Sequence, residues 1–261
     1  MNWQACRGDV LLLSVKMIFR STAHRPWPLP FRPWIMAQVW HDLLFAHWPI
    51  EEQALRPHIP AKLEIDTFQG QAWLGIIPFR MSGVRPRGLP ALPWLSAFPE
   101  LNVRTYVTAE GKPGVWFFSL DAANPFAVLA ARLSFHLPYF NARMNCREGH
   151  DSIHYRSERT QRHAAAASLH ARYAPTGPVF NPQHGSLEHF LTERYCLYSA
   201  QGAKLYRGEI HHPPWPLQLA EAHFGRNTMA EASGIALPNI APLLHFARRV
   251  DMVVWAPDRI D

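Results

Sequence analysis

Seven side chains of this sequence combine types and spacings that would suit a binding or proton-transfer site: Glu100, Asn102, Arg104, Tyr106, Ser119, Asp121 and Tyr139. Six lie in one stretch, FPELNVRTYVTAEGKPGVWFFSLDA, which reads as two strands of alternating pattern around a glycine-containing turn, Ala109–Gly114. Pairing Thr108 with Val115 sets Arg104 opposite Ser119 and Asn102 opposite Asp121. Arg104 and Asp121 are then diagonal neighbours within reach of long side chains. In this register one face carries Glu100, Asn102, Arg104, Tyr106, Phe117, Ser119 and Asp121. The other carries Leu101, Val103, Val107, Trp116, Phe118 and Leu120 and reads as core. The mixed face suits either the interior of a ligand-holding barrel or the wetted side of an antiparallel sheet. A slip of one residue would dissolve the constellation, because strand side chains alternate with period two.

The remaining elements must position that hairpin. Strands are expected from Gln71 to about Arg80, with Pro78 marking an edge or bend, and at 143–147, 152–157, 195–199, 203–211 and 244–255. Gly70, Gly149 and Gly202 punctuate them. Asn124-Pro125 is an N-cap with proline in the first helical turn, and Pro138 ends the helix that starts there. Phe126, Leu129, Ala130 and Leu133 fall at i, i+3, i+4 and i+7, the expected buried stripe of that helix. Shorter helices are expected from Ser186 and over 51–56. The long run 85–99 is apolar enough to form either a pocket rim or a packed Ω-loop. The fold class is α+β: a mainly antiparallel β-barrel with a few flanking helices, one domain over 36–261, behind a poorly ordered extension over 1–35.

Composition narrows the function classes. The chain has 261 residues, 48% hydrophobic and 18% charged, enough to bury a sizeable core. A net charge of +6 raises nucleic acid as a partner, but the arginines are scattered rather than gathered in a patch, so none is expected. The run 10–15 is broken by Lys16 and is too short to span a membrane. Three cysteines without CxxC spacing fit a reducing, cytoplasmic setting. The 15 histidines include no HExxH or His/Cys cluster with ligand spacing, so neither a metal nor another cofactor is expected. His41 and His47 flank Asp42 but would merely share a strand face, and HHPPWPL reads as a proline-fixed strand exit that packs Trp215.

The blocks WHDLLFAHWPI, FPELNVRTYV, GKPGVWFFSLDA, HLPYFNARM, SLEHFLTERYCLYS and HHPPWPL, in this order over about 36–255, resemble the YqjF-type family of bacterial proteins. That family resembles, more distantly, the acetoacetate decarboxylases, which implies a β-barrel with flanking helices and a central cavity. In the decarboxylases a helix ends in glycine, an aromatic residue, proline and then the lysine that forms a Schiff base. The matching stretch here is His136-Leu137-Pro138-Tyr139-Phe140, with tyrosine in place of lysine. A phenol cannot form an imine, and the chain's four lysines (Lys16, Lys62, Lys112 and Lys204) lie far from this stretch in sequence. Glu100, after Phe98-Pro99, resembles a carboxylate that lines the decarboxylase cavity. On that likeness Arg104 is the natural partner of an anionic ligand, because guanidinium grips carboxylate in a planar fork. The expected function is binding of a small organic molecule, a carboxylate being the leading class. Acid–base catalysis by Glu100 or Tyr139, and a non-catalytic structural role, stand as alternatives; oligomeric state stays open.

Overall fold

A computed structural model describes residues 18–92 and 95–260. Its strands are β1 (Met36–Ile50), β2 (Glu64–Ile65), β3 (Ala72–Pro86), β4 (Phe98–Ala109), β5 (Lys112–Ala122), β6 (Tyr139–Glu148), β7 (Ile153–Arg159), β8 (Ser168–Phe180), β9 (Cys196–Gln201), β10 (Lys204–His211), β11 (Leu217–Asn227), β12 (Leu243–Val254) and β13 (Asp258–Arg259). Helices are α1 (Glu52–Leu55), α2 (Pro125–Phe135) and α3 (Leu187–Thr192). The strands join in one sheet, antiparallel except where β5 meets β6 and β9.

Two pairings close the sheet on itself. The β4–β5 pair closes a ring through β6, β7, β8, β11, β12, β1 and β3, while β10–β12 closes a smaller ring through β9, β5, β4, β3 and β1. Strands β12, β1, β3, β4 and β5 belong to both rings, so successive side chains on them serve two interiors. Leu44, Leu74, Leu101, Val103, Tyr155, Leu169 and Phe246 pack in one buried cluster. Phe45, Phe79, Tyr106, Phe117, Leu120, Val250 and Met252 pack in the other. This architecture is the expected α+β, mainly antiparallel class.

The β4–β5 hairpin is tighter than the sequence suggests. Glu110 and Gly111 both take positive φ (51° and 70°), a two-residue turn that matches the right-handed twist of the strands. Thr108 therefore pairs with Pro113 rather than Val115. A bulge on β5 comes next: Arg104 pairs with Phe117 but Val103 with Ser119, which leaves Phe118 unmatched. One extra residue reverses the inward–outward alternation beyond it. Ser119 and Asp121 consequently pair with Val103 and Leu101 on the opposite face from Glu100, Asn102 and Arg104, and Leu120 takes the place expected for them.

Helix α2 starts as expected. Asn124 Oδ1 accepts from the N–H groups of Phe126 (3.0 Å) and Ala127 (3.2 Å). Its rotation is the reverse of the expected one: Phe126, Leu129 and Leu133 are exposed at 72%, 57% and 69%, while Val128 and Phe135 are buried. Ala130, the fourth member of the expected stripe, is exposed as well, and Ala127 and Ala131 are half-buried. His136 ends the helix in the left-handed region (φ 54°), and Pro138 keeps it from resuming.

The expected N-terminal extension falls partly outside the described residues, including the apolar run 10–15. Its described part, 18–35, has little regular structure and is largely exposed or half-buried, with Phe31 fully exposed, but touches the fold at particular residues. Ile18 and Trp34 join Ala37, Val253 and Trp255 in a small cluster, and Arg25 is buried, donating to Ile210 O (2.6 Å) and Glu209 Oε2 (3.0 Å). Strands β8 and β11, which carry no clear signal in the sequence, complete the larger ring. Among the described residues no helix is long and apolar enough to cross a membrane.

Candidate functional site

The smaller ring and helix α2 enclose a cavity of about 450 Å³, within the range of small-molecule sites. Its polar lining includes Glu100, Asn102 and Arg104 from β4, Tyr139 from the start of β6, and Arg194 and His212. Trp40, Met81, Phe98, Phe117, Leu120, Phe135, Trp215 and Met252 supply most of its apolar wall. The two ends of the 85–99 loop reach it through Pro86 and Phe98, whereas Leu89 and Leu92 between them are exposed. Trp94 lies outside the described residues.

Glu100 sits 3% exposed, and Tyr139 donates its hydroxyl to Glu100 Oε2 at 2.9 Å. Burial pushes the Glu100 carboxyl up to about 8; the Tyr139 hydrogen bond opposes that rise and Asp121 adds to it. Burial, then the neighbouring carboxyl, raises the Tyr139 phenol well above its usual range. At neutral pH this is a protonated acid beside a protonated phenol, a neutral pair. The strand is held from behind by Tyr155, whose hydroxyl donates to Glu100 O at 2.6 Å.

Arg104 is 7% exposed. It donates from Nη2 to Leu191 O at 3.2 Å and lies 5.7 Å from the centres of the Phe45 and Tyr106 rings. Among the described residues no carboxylate forms an ion pair with it, and its Nε has no partner. Asn102 Oδ1 is likewise buried and unpartnered. A buried guanidinium without a counter-charge is costly unless something else satisfies it. The second arginine of the wall, Arg194, is by contrast committed to Asp66 at 2.5 Å.

The other three sequence candidates are placed elsewhere. Tyr106 points the same way as Arg104 but is fully buried beneath it, donating to Leu191 O (2.7 Å) and bonded to His47 Nε2 (2.7 Å). Burial, followed by Arg104 and His245, lowers the His47 imidazole well below its usual range. Asp121 forms a two-point ion pair with Arg159 (Nε–Oδ1 2.7 Å, Nη2–Oδ2 2.9 Å) instead of approaching Arg104. Ser119 Oγ is buried without a partner. Both residues fall outside the cavity because of the Phe118 bulge, for which the sequence carries no glycine or proline signal. His41 bonds to Ser82 Oγ at 2.7 Å; Asp42, at φ 54° within a register shift of β1, accepts from Arg80 and Arg248. Those ion pairs account for Asp42 without a catalytic role. Sequence reasoning missed Trp40, Arg194 and His212 as cavity residues; within the HHPPWPL block only Trp215 carries an expectation, that of packing.

Among the described residues no lysine lines the cavity. Lys112 pairs with Glu209 at 2.8 Å, and Lys62 and Lys204 are exposed. Among the described residues no three His, Cys, Asp or Glu side chains are gathered to hold a metal ion.

Comparison with known proteins agrees with this architecture. Acetoacetate decarboxylase from Legionella pneumophila superposes with a TM-score of 0.62 at 11% identity, covering 95% of each chain. The enduracididine biosynthesis enzyme MppR, in a structure complexed with pyruvate, gives 0.61 at 9% identity over 93% of this chain and 96% of its own. At such identities the likeness shows the fold alone. The protein YqjF of Bacillus subtilis (strain 168) is 50% identical over 222 residues, 85% of this chain and 91% of its own length. Residues 37–251 match the DUF2071 family model, described as an uncharacterized conserved protein. The chain therefore belongs to the DUF2071 family, on an acetoacetate decarboxylase-like fold.

Proposed function

We propose that the cavity binds a small organic anion, with a carboxylate on Arg104 and Asn102 and an apolar body against Trp40, Phe98, Phe117 and Trp215. The observation that carries this reading is Arg104: buried, partly unpartnered and without an ion pair among the described residues. A ligand carboxylate would supply the missing counter-charge, and the neutral Glu100–Tyr139 pair beside it would not repel that charge. The MppR structure complexed with pyruvate lends support, since a fold neighbour there holds a small carboxylate. Imine chemistry is not part of the proposal, because Tyr139 stands at the position that matches the lysine of the decarboxylases. We assign the protein to the cytoplasm, where Cys146 and Cys196 stay free thiols.

A second reading adds catalysis at the same place. A carboxyl held near 8 can both give and take a proton at neutral pH, which suits Glu100 as the acid–base group of a lyase or isomerase. The test of the binding reading is a thermal-shift panel of monocarboxylates with apolar bodies of increasing size, paired with their amides. Carboxylates should raise the melting temperature of the wild type and not of Arg104→Gln, with circular dichroism confirming that the variant is folded. Equal responses to acids and amides would sink the anchor. Catalysis additionally requires turnover of a bound acid that Glu100→Gln abolishes while binding persists.

A further inference from the structure

A second concave site lies on the far side of β5 from the cavity, where the sheet splits. Along one edge β5 pairs with β9 only at Val115 and Trp116, and with β6 only from Leu120 to Ala122. Phe117, Phe118 and Ser119 therefore have no residue of either strand opposite them on that edge. The Phe118 bulge falls at the same point. The gap opens into a recess of about 610 Å³ whose lining includes Trp116, Phe118, Phe140, His136 and Ser199. Ser199 is 2% exposed and its Oγ has no hydrogen-bond partner.

The chemistry of the lining selects a ligand class. Aromatic faces are the favoured surface for a flat ring, which stacks in offset or edge-on geometry. The Ser199 hydroxyl offers both a donor and an acceptor. Among the described residues the one arginine in the lining, Arg159, is already engaged by Asp121, with the two side chains 3% and 0% exposed, and no carboxylate lines the recess. Among the described residues the lining therefore offers a charged ligand neither a free guanidinium nor a carboxylate. An added peptide strand does not fit either, since β9 and β6 leave only three residues of open edge.

We infer that this split is a second ligand site, for a neutral planar heteroaromatic molecule of one or two rings that stacks on Trp116 and Phe118 and hydrogen-bonds at Ser199. It is chemically distinct from the anion cavity, although Phe117 and Leu137 line both and form the partition between them.

The probes are adenine and indole, followed by saturation-transfer NMR and equilibrium dialysis on the full chain at concentrations up to about 5 mM, the weak end of useful affinity. Adenine should bind the wild type and Arg104→Gln equally. Ser233→Trp, a substitution on the short helical turn Glu231–Ser233 at the rim, should weaken binding of both probes at least tenfold by filling the recess. Ser199→Ala should weaken adenine several-fold and leave indole stacking little changed. Absence of binding by both probes, binding indifferent to Ser233→Trp, or binding lost in Arg104→Gln would each overturn the assignment. The last outcome would place the probes in the anion cavity without harming that reading.

Discussion

Replacing Glu100 with glutamine tests whether a protonated carboxyl lies in the interior. Glutamine keeps the size of the protonated acid and an oxygen to accept from Tyr139, but cannot ionise. In the wild type the folded protein holds the Glu100 proton up to about pH 8, whereas the unfolded chain releases it near the ordinary 4.5. Proton linkage sets the sign: between these values the native state binds more protons than the unfolded one, so stability falls as pH rises. Each pH unit in that window costs about 1.4 kcal/mol, with a ceiling near 5 kcal/mol across it. The contribution is fully present below about pH 4.5 and gone above about pH 8. Urea unfolding of wild type and Glu100→Gln at half-unit steps from pH 5 to 9 measures the difference between the two curves, which cancels the other titrating groups. The variant should gain on the wild type steadily to about pH 8 and then run parallel. Curves parallel throughout would mean that Glu100 ionises as a solvated carboxylate, and the buried acid would be refuted.

Ligand affinity should share that proton: a carboxylate bound at Arg104 meets a neutral Glu100 below about pH 8 and an anionic one above it, so calorimetric affinity should drop through that pH in the wild type and stay level in Glu100→Gln. Arg159→Ala should destabilise the fold by about 3–5 kcal/mol in chemical denaturation, because it leaves Asp121 buried without its partner; a loss under about 1 kcal/mol, the surface-pair range, would contradict the burial. On helix α2, Val128→Ala should cost about 1–3 kcal/mol, while Leu129→Ser on the exposed face should stay within about 0.5 kcal/mol. The opposite ranking would restore the stripe that the sequence suggests.

How far the sequence reached depended on whether a feature is local. The N-cap at Asn124 and the stop at Pro138 carry their own signals, and both helix ends obey them. The same holds for Ser186, whose Oγ accepts from His189 N at 3.2 Å. The alternation in Glu100, Asn102 and Arg104 is a property of one strand, so those three share a wall of one cavity. Assigning Ser119 and Asp121 required the register between two strands, and a two-residue turn plus one unsignalled bulge were enough to turn both away. The rotation of α2 likewise depends on what lies beneath it, an open cavity roofed by alanines, which no periodicity in the helix itself encodes. Strands shared by two rings bury both faces, so they lack the polar alternation that marks an ordinary antiparallel strand; β1 shows this, with Leu43, Leu44, Phe45 and Ala46 all buried in succession.

The most direct test is a crystal structure of the full chain grown with hexanoate, a carboxylate whose tail matches the apolar wall. The account predicts the carboxylate on the Arg104 guanidinium and Asn102, with the hydrocarbon lying among Trp40, Phe98 and Trp215. Hexanoate on a surface arginine with the cavity left to water, or an aliphatic tail against Arg104 and the acid in solvent, would contradict it.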